Sequence, residues 1–168
     1  FDGARLPADS LLGKEGQGLR VALSALDSAR TGSAAIAVGI GRAVLAEAIA
    51  YGRQRQQFGQ AITQFQAVQW KLADMATEVE AAALLALKAA WLRDQGQPYG
   101  TAAAMAKRFA TDIAMNATLE GMQIMGGYGY LKDYPMERFL RDAKAGSIYE
   151  GTNEIQRLVI ARELLKAK

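Results

Sequence analysis

The sequence contains no cysteine and no histidine among its 168 residues. The absence of cysteine excludes disulfide bonds and thiolate chemistry, and it is compatible with a reducing compartment. The absence of histidine excludes a Ser-His-Asp triad and removes both the commonest general base and a usual ligand of zinc. We therefore predict no metal site, and any proton transfer falls to Asp, Glu, Lys or Tyr.

The chain also lacks long basic runs and long uninterrupted apolar runs. Its net charge is +3, and its lysines and arginines are interspersed with acids, so no nucleic-acid-binding surface is indicated. The longest apolar stretches, such as residues 81–90, contain or adjoin charged side chains and are too short to cross a membrane. We therefore predict neither a nucleic-acid partner nor a membrane span.

Apolar residues recur every three or four positions along most of the chain, and breaks rich in Gly, Asn or Pro separate the periodic segments. The predicted helices cover residues 19–52, 63–94, 101–125, 135–145 and 154–166. Residues 63–66 and 153–156 have sequences that can cap the second and the last helix. The predicted fold class is all-α, an antiparallel bundle of three long helices and two shorter ones.

The periodic residues also predict which helix faces are buried. In the first helix they are Leu19, Leu23, Leu26, Ile36, Ile40, Val44 and Ala48. In the second they are Phe65, Val68, Leu72, Met75, Val79, Ala82 and Ala86, and in the third Met105, Phe109, Ile113, Leu119 and Met122. Gly32, Gly39 and Gly41 thin one side of the first helix at a cost of about 1 kcal/mol each, so either another helix or a ligand packs closely there.

The start of the chain differs from the rest. It has no initiator methionine, and residues 1–7 resemble the end of a strand that leads into a loop. A domain boundary is expected between Leu12 and Gly18, where glycine and charge precede the first helix. We expect the chain to be a fragment of a longer protein, with 51% hydrophobic residues to form one packed domain.

Glu150 is the first candidate for chemistry, because it lies on a Gly-containing break between the last two predicted helices. One interpretation is a carboxylate that is favoured by the dipole of the following helix. The other is a general base in a desolvated pocket, which would raise the pKa of the carboxyl towards working pH. Ile148 and Tyr149 can supply apolar walls for such a pocket.

Three further positions have both a structural and a functional interpretation. Arg55 and Phe58 lie between the first two long helices, where the arginine is either solvated or binds a phosphate while the ring covers an apolar ligand. The Gly-rich segment 126–129 ends a helix, and it also permits positive φ and close approach to a ligand. Asp27 and Arg30 form either an intrahelical ion pair or the charged wall of a ligand channel.

Five motifs occur in order along the chain. They are Tyr51-x-x-x-Arg55-x-x-Phe58-Gly59, Gln66-Ala67-Val68-Gln69-x-x-Leu72-Ala73-Asp74-Met75, Gln123-Ile124-Met125-Gly126-Gly127-x-Gly129, Arg141-Asp142-Ala143 and Ile148-Tyr149-Glu150-Gly151-Thr152. From Leu12 to Leu165 the chain resembles the carboxy-terminal half of acyl-CoA dehydrogenases, most closely short-chain and short-branched-chain members. The resemblance implies a larger α+β flavoenzyme, in which residues 1–15 end the preceding β-domain and its linker and residues 16–168 form the carboxy-terminal helical bundle.

The resemblance implies a reaction for Glu150. It would remove the α-proton of an acyl-CoA thioester while the β-hydrogen leaves as hydride to N5 of FAD, and the product would be a trans-2-enoyl-CoA. The backbone N–H of Glu150 and a ribityl hydroxyl of FAD would stabilise the negative charge on the thioester oxygen. Some members carry the base one residue before the position of Arg30, but Ala29 stands there in this chain.

The resemblance also implies binding residues. For FAD they are Arg55, Gln57, Phe58, Phe65 and Gln66 towards a neighbouring subunit's flavin, Gln123, Gly126 and Gly127 on its adenosine side, and Thr152 and Glu154 from the same chain. For acyl-CoA they are Asp27 and Arg30 along the pantetheine arm, Tyr149 and Gly151 near the thioester, and Arg162 further along the CoA. One departure from the family pattern is the glutamine-rich segment 52–57, which puts the contacts beside Arg55 in doubt.

A flavin shared between subunits implies a homodimer or a homotetramer, and the domain alone is expected to be inactive. The implied electron acceptor is an electron-transfer flavoprotein. Two alternatives are an oxidase that uses oxygen, whose flavin would reoxidise rapidly in air, and a non-enzymatic bundle that serves as an interaction module. The family implies a bacterial cytoplasm or a mitochondrial matrix. The residues do not specify the length or branching of the acyl chain.

Overall fold

The computed structural model describes residues 1–166 and consists almost entirely of helices. The long helices are α1 (Gly18–Gln54), α2 (Gln66–Asp94) and α3 (Gly100–Met125). The shorter ones are α4 (Gly127–Tyr130), α5 (Met136–Gly146) and α6 (Asn153–Leu164). Single 3-10 turns lie at Ala8–Ser10 and Ile62–Gln64. The predicted bundle of three long and two shorter helices is confirmed, and α4 adds one turn.

Helix α3 is the centre of the bundle, because α1, α2, α5 and α6 all pack against it. The contacting faces consist largely of alanine, which lets helix axes approach more closely than leucine would. One cluster contains buried alanines of α1, α2 and α3: Ala34, Ala37, Ala82, Ala86, Ala89, Ala103, Ala106, Ala110 and Ala114. A second, around Val44, Met75, Met125 and Met136, joins the other end of the bundle to α5.

The side of α1 that carries Gly32, Gly39 and Gly41 has two different surroundings. A Cβ atom on Gly41 would lie 2.7 Å from Cγ2 of Val79, so α2 packs directly on the α1 backbone there. A Cβ on Gly32 or Gly39 would meet nothing within 4 Å. The interpretation that a helix packs closely is therefore correct for Gly41, whereas Gly32 and Gly39 are exposed.

Several predicted core residues are instead exposed. Leu19, Leu23, Ile36 and Leu119 were predicted to be buried, but their exposed fractions lie between 49% and 74%. The buried face of α1 consists of small residues, and its first turns, residues 18–25, contain no buried residue. A periodic pattern of large apolar residues identified the helix correctly and its buried face only in part, because the small residues occupy the closest contacts.

Two predicted helix caps and the predicted amino-terminal strand are absent from the described part of the chain. No side chain caps α2, where Phe65 is the N-cap residue; the Gln69 amide instead donates to the carbonyl of Thr63 at 3.0 Å. No side chain caps α6 either, since Asn153 points into the core. Residues 1–7 form no strand, and a strand requires a partner strand for its hydrogen bonds.

A short β-hairpin between α1 and α2 was not predicted. Strand β1 (Gln56–Gln57) pairs antiparallel with β2 (Gln60–Ala61). The two residues between them, Phe58 and Gly59, have φ values of 52° and 80°. Positive φ at both central residues is the geometry of a type I′ turn, in which glycine at the second position is favoured. The hairpin projects Phe58 from the end of α1.

Helix α1 is the one described helix that is long and apolar enough to cross a membrane by length and composition. In the bundle, 39% of its most apolar window is buried against other helices. A core helix of a soluble protein passes the same test of length and composition, so this is weak evidence for a membrane span.

Paired substitutions on α1 test the close contact with α2. We expect Gly41→Ala to lower the free energy of unfolding by about 1–2 kcal/mol, because its methyl group overlaps Val79 by more than the gain in helix propensity offsets. We expect Gly39→Ala, two residues away in open space, to raise it by about 0.5–1 kcal/mol. Urea denaturation of the chain measures both. Equal stability of the two variants would contradict the packing described here.

Candidate functional site

Glu150 lies in a closed turn between α5 and α6. The backbone N–H of Asn153 donates to the carbonyl of Ser147 at 3.1 Å and closes the turn. Glu150 has a φ of 57° and Gly151 a φ of 85°. A left-handed conformation is unfavourable for glutamate and persists only where the surroundings impose it. A Cβ on Gly151 would lie 2.9 Å from Nε2 of Gln156, so the glycine is also required for space.

The carbonyl groups of this turn point inward and accept hydrogen bonds from buried side chains. Gly151 O accepts from Nζ of Lys107 at 2.9 Å and from Nε2 of Gln156 at 2.8 Å. Glu150 O accepts from the same Gln156 nitrogen at 3.3 Å and from Nε of Arg30 at 3.5 Å. Side chains from three different helices therefore hold the backbone of the turn.

Lys107, like Gln156, is fully buried, with no exposed surface. Its Nζ also donates to Oδ1 of Asn153 at 2.9 Å. The Asn153 amide in turn donates to Oδ1 of Asp112 at 2.8 Å and to the Thr111 hydroxyl at 3.0 Å. Burial lowers the pKa of Lys107, and the negative charge of Asp112 opposes that shift. The ammonium is thus held within a network of hydrogen bonds beneath the turn.

The side chain of Glu150 has different contacts from its backbone. Both hydrogen bonds formed by Glu150 use its carbonyl oxygen. Within residues 1–166 the Glu150 carboxylate has no ion-pair partner. Its backbone N–H likewise has no backbone acceptor in the same part of the chain. The turn thus presents a half-buried carboxylate and an N–H that are both available to a ligand.

Asp27 and Arg30 lie beside this turn and form the intrahelical ion pair that their spacing indicated, at 2.8 Å. Arg30 is buried, and its guanidinium bridges Asp27 and the carbonyl of Glu150. The Asp27 carboxylate lies against the first residue of α3, where a Cβ on Gly100 would be 2.9 Å from it. Both residues have structural contacts next to Glu150, and their contact with a substrate stays a prediction.

The other residues predicted near Glu150 lie around the start of α6. Thr152 and Glu154 line a depression of about 430 Å³ at its amino terminus. The pKa of Glu154 is lowered, first by a hydrogen bond from its own backbone N–H and then by the Thr152 hydroxyl. Tyr149 is partly exposed next to Glu150, whereas Arg162 is exposed in the last turn of α6. Arg162 is therefore not brought into contact with the turn.

A second group of predicted residues meets at the other end of the bundle. Arg55, Gln57, Gly126 and Gly127 line one open cavity of about 690 Å³. Gly126 ends α3 with a φ of 60°, as the glycine run indicated, and its N–H donates to the carbonyl of Gln123 at 3.3 Å. A Cβ on Gly126 or Gly127 would meet nothing within 4 Å, so the backbone is open to a ligand.

Aromatic side chains surround Arg55. Its guanidinium carbon lies 5.9 Å from the centre of the Tyr128 ring, within the range of a cation–π contact. Tyr51 packs edge-on against Tyr134 at 6.0 Å, and burial raises the pKa of Tyr51 while Arg55 opposes that shift. These tyrosines were not predicted as part of a site. Tyr51 and Tyr128 line the same cavity as Arg55.

Phe58 is 93% exposed at the tip of the hairpin. Its only aromatic neighbour in the described chain is Phe65, 6.2 Å away and edge-on. Gln66 and Gln123 are also exposed at this end of the bundle. An apolar ring that projects this far from a small domain indicates a surface that another molecule covers.

The two groups lie far apart along α1. Arg30 contacts the Glu150 turn, whereas Arg55 follows the last residue of α1, Gln54. At a rise of about 1.5 Å per residue, the helix from Arg30 to Gln54 is roughly 36 Å long. The structure thus assembles two half-sites, one around Glu150 and one around Arg55. Within residues 1–166 no group of three or more acidic side chains is placed to bind a metal ion.

The sequence-based prediction missed Lys107, Thr111, Asn153 and Gln156 as parts of the Glu150 half-site. One signal was present: Lys107 follows Ala103 by one helical turn and precedes Thr111 by another, on a face rich in small residues. A charged residue at such a position is rarely buried without hydrogen-bonding partners. Those partners lie more than 40 residues away along the chain, and no local pattern identifies them.

Comparison with known proteins places this chain in a family. The model of the acyl-CoA dehydrogenase carboxy-terminal domain matches residues 16–165. An acyl-CoA dehydrogenase of Bacillus subtilis is 54% identical over 165 residues, which are 98% of this chain and 44% of that protein.

Solved structures give the same result. Butyryl-CoA dehydrogenase from Megasphaera elsdenii superposes with a TM-score of 0.95 at 49% identity, over 96% of this chain and 42% of that one. A structure described as the electron-transferring flavoprotein of Acidaminococcus fermentans has a TM-score of 0.95 at 52% identity, over 96% of this chain and 43% of that one. This chain therefore spans less than half the length of these relatives.

The lowered pKa of Lys107 predicts how stability changes with pH. Below that pKa the ammonium is charged in the folded and the unfolded chain, so the folded state carries the full cost of burying it. Between that pKa and the ordinary value of 10.5, the unfolded chain binds more protons, and the folded state gains stability as pH rises. Each pKa unit of lowering corresponds to about 1.4 kcal/mol.

We therefore expect the free energy of unfolding of the unchanged chain, relative to Lys107→Met, to increase as the pH rises towards the ordinary lysine value of 10.5. Chemical denaturation at several pH values measures the difference. Lys88→Met, which removes an exposed lysine of α2, is the control and should show a flat difference. A flat difference for Lys107→Met as well would show that Lys107 titrates normally.

Proposed function

This chain belongs to the acyl-CoA dehydrogenase family, and on that premise we propose that it forms the carboxy-terminal domain of an enzyme that oxidises acyl-CoA thioesters. The reaction removes the α-proton and the β-hydrogen and yields a trans-2-enoyl-CoA. One observation carries the proposal: Glu150 is held in a left-handed turn by its carbonyl group, while its carboxylate has no ion-pair partner in the described residues.

Glu150 is the proposed base. An α-proton next to a thioester is weakly acidic, so its removal requires both a positioned carboxylate and a donor for the negative charge that develops on the carbonyl oxygen. The turn supplies both from one residue, because the N–H of Glu150 has no backbone acceptor in residues 1–166. Tyr149 beside it is half-exposed and supports the role of an apolar wall.

The Arg55 half-site fits FAD. Arg55 offers guanidinium donors for a pyrophosphate, the backbone at Gly126 and Gly127 is open to close approach, and the exposed Phe58 ring can cover an apolar ring system. FAD, when bound, supplies the hydride acceptor for the β-hydrogen. We propose that Gln57, Phe65, Gln66 and Gln123 complete this half-site, and that Thr152 and Glu154 bind the flavin that serves Glu150.

The separation of the half-sites supports a shared flavin. The part of α1 between them is roughly 36 Å long, which exceeds the length of an extended dinucleotide. One flavin therefore does not reach Glu150 and Arg55 of the same chain. We propose that Arg55 binds the flavin of a neighbouring subunit in a homodimer or a homotetramer. The similarity to the Acidaminococcus fermentans structure supports an electron-transferring flavoprotein as the acceptor.

Glu150→Gln tests the base. In the holoprotein that contains this domain, we expect FAD content to remain normal and the rate of flavin reduction by acyl-CoA to fall at least about 100-fold, because the amide does not accept the α-proton. Anaerobic stopped-flow absorbance with acyl-CoAs of several chain lengths measures the rate. Glu163→Gln, an exposed carboxylate on α6, is the matched control. Near-normal reduction by Glu150→Gln would remove Glu150 from the mechanism.

Arg55→Ala tests the cofactor half-site. The loss of charge-assisted hydrogen bonds of about 1.5–3 kcal/mol corresponds to roughly 10- to 100-fold weaker binding of FAD, and we expect a less stable oligomer. Flavin absorbance of the purified holoprotein and its mass in solution are the measurements. Arg53→Ala removes an exposed arginine two residues away and should change neither. Unchanged flavin content and mass in Arg55→Ala would contradict the shared site.

A further inference from the structure

We propose that Lys107 is a positioning residue for Glu150: it anchors the turn that carries Glu150 to the central helix α3. The inference rests on the proposed function of Glu150 as the base. Within residues 1–166, Lys107 forms no hydrogen bond or ion pair with the Glu150 carboxylate. Its Nζ donates to the carbonyl of Gly151 and to Oδ1 of Asn153, the two residues that follow Glu150 at one and three positions.

The cost of burying Lys107 supports this assignment. A buried ammonium costs several kcal/mol unless hydrogen bonds offset the loss of water. The core cluster of α1, α2 and α3 consists largely of alanine, which packs without any such cost. The two acceptors of Lys107 are the carbonyl of Gly151 in the turn and the side chain of Asn153, whose N–H closes the turn. The hydrogen bonds that offset the cost of burying the charge therefore form at the turn. An apolar residue would fill the volume but would not bind the turn.

The backbone of the turn requires an anchor. The left-handed conformation of Glu150 is unfavourable by itself, and the turn is joined covalently only to α5 and α6. Lys107 ties it to α3, at the centre of the bundle, through Gly151. Gln156 and Arg30 also bind carbonyls of the turn, but Gln156 belongs to α6 and moves with it. Lys107 and Arg30 are thus the two side chains outside α5 and α6 that bind the turn. The hydrogen bond from Lys107, at 2.9 Å, is shorter than the one from Arg30, at 3.5 Å.

Charge reinforces the anchor. The charged groups that face Lys107 are Asp112 on its own helix, Arg30 on α1, and Glu150 and Glu154 on the other side of the turn. The negative charges of Asp112, Glu154 and Glu150 favour the charged form of Lys107, and Arg30 opposes it. Removing the ammonium would release the backbone of the turn from α3.

Lys107→Met in the holoprotein tests the proposal, because methionine matches the volume of lysine without its charge or donors. We expect the rate constant of flavin reduction by acyl-CoA to fall about 10- to 100-fold, as expected when a reacting group is misplaced by about 1 Å, while the Kd for acyl-CoA changes less than about threefold. Stopped-flow absorbance measures both.

Hydrogen exchange provides a readout that is independent of flavin and substrate. The Asn153 N–H closes the turn on Ser147, and we expect its exchange to be at least about tenfold faster in Lys107→Met while the amides in the middle of α3 are unchanged. Thr118→Val is the matched control. Thr118 is buried on the same helix and donates only to carbonyls of that helix, so both exchange at the turn and flavin reduction should stay normal.

The outcomes are distinct. If the unchanged holoprotein is not reduced by any acyl-CoA, the proposed function fails, and exchange at the turn still shows whether Lys107 holds it. Should Lys107→Met fail to fold, Asn153→Ala removes one acceptor of the ammonium and repeats the comparison. Reduction and exchange that match the unchanged protein would overturn the proposal. So would faster exchange without slower reduction, or failure of both variants to fold, which would assign the network to stability of the fold alone.

Discussion

The hydrogen bonds from Lys107 to Gly151 and Asn153 connect the centre of the fold to its candidate active site. Helix α3 packs against all five other helices, so it is the element of the bundle with the most helix neighbours to which a turn can be attached. The turn itself contains two consecutive residues with left-handed backbone, a conformation that local sequence alone does not maintain for glutamate. Without a polar group from α3, the turn would depend on the ends of α5 and α6.

The core between α1, α2 and α3 is rich in alanine, and small residues on contacting faces let helices approach closely. Helix α6 differs, since its buried residues are Asn153 and Gln156, both polar. The alanine-rich core leaves large apolar residues on the outside, as at Ile36 on α1 and Leu87 and Trp91 on α2. Exposed apolar surface of this kind indicates that further protein covers the bundle, in agreement with relatives that are more than twice as long.

Sequence patterns predicted the structural features that depend on residues close together along the chain. The long helices follow from apolar periodicity, and the turn at Glu150 follows from the glycines that interrupt it. The hairpin at Phe58 was missed because strands of two residues have no detectable period. The exposure of several predicted core residues was also missed. A periodic pattern assigns leucine to the core before alanine, whereas this bundle buries mainly alanine. Lys107 was missed because its partners are distant in sequence, although a lysine on a small-residue face was visible.

The length of α1 constrains how the two half-sites work. One helix carries Arg30, which contacts the Glu150 turn, and ends one residue before Arg55, so the distance between the two half-sites changes little with side-chain conformation. If both half-sites serve the same chemistry, each chain must contribute its base to one flavin and its arginine to another. Two chains related by a twofold axis satisfy that requirement with two equivalent sites. Under the proposed function, the length of α1 would make assembly a condition of activity, with the exposed Phe58 ring on the surface that a second chain would cover.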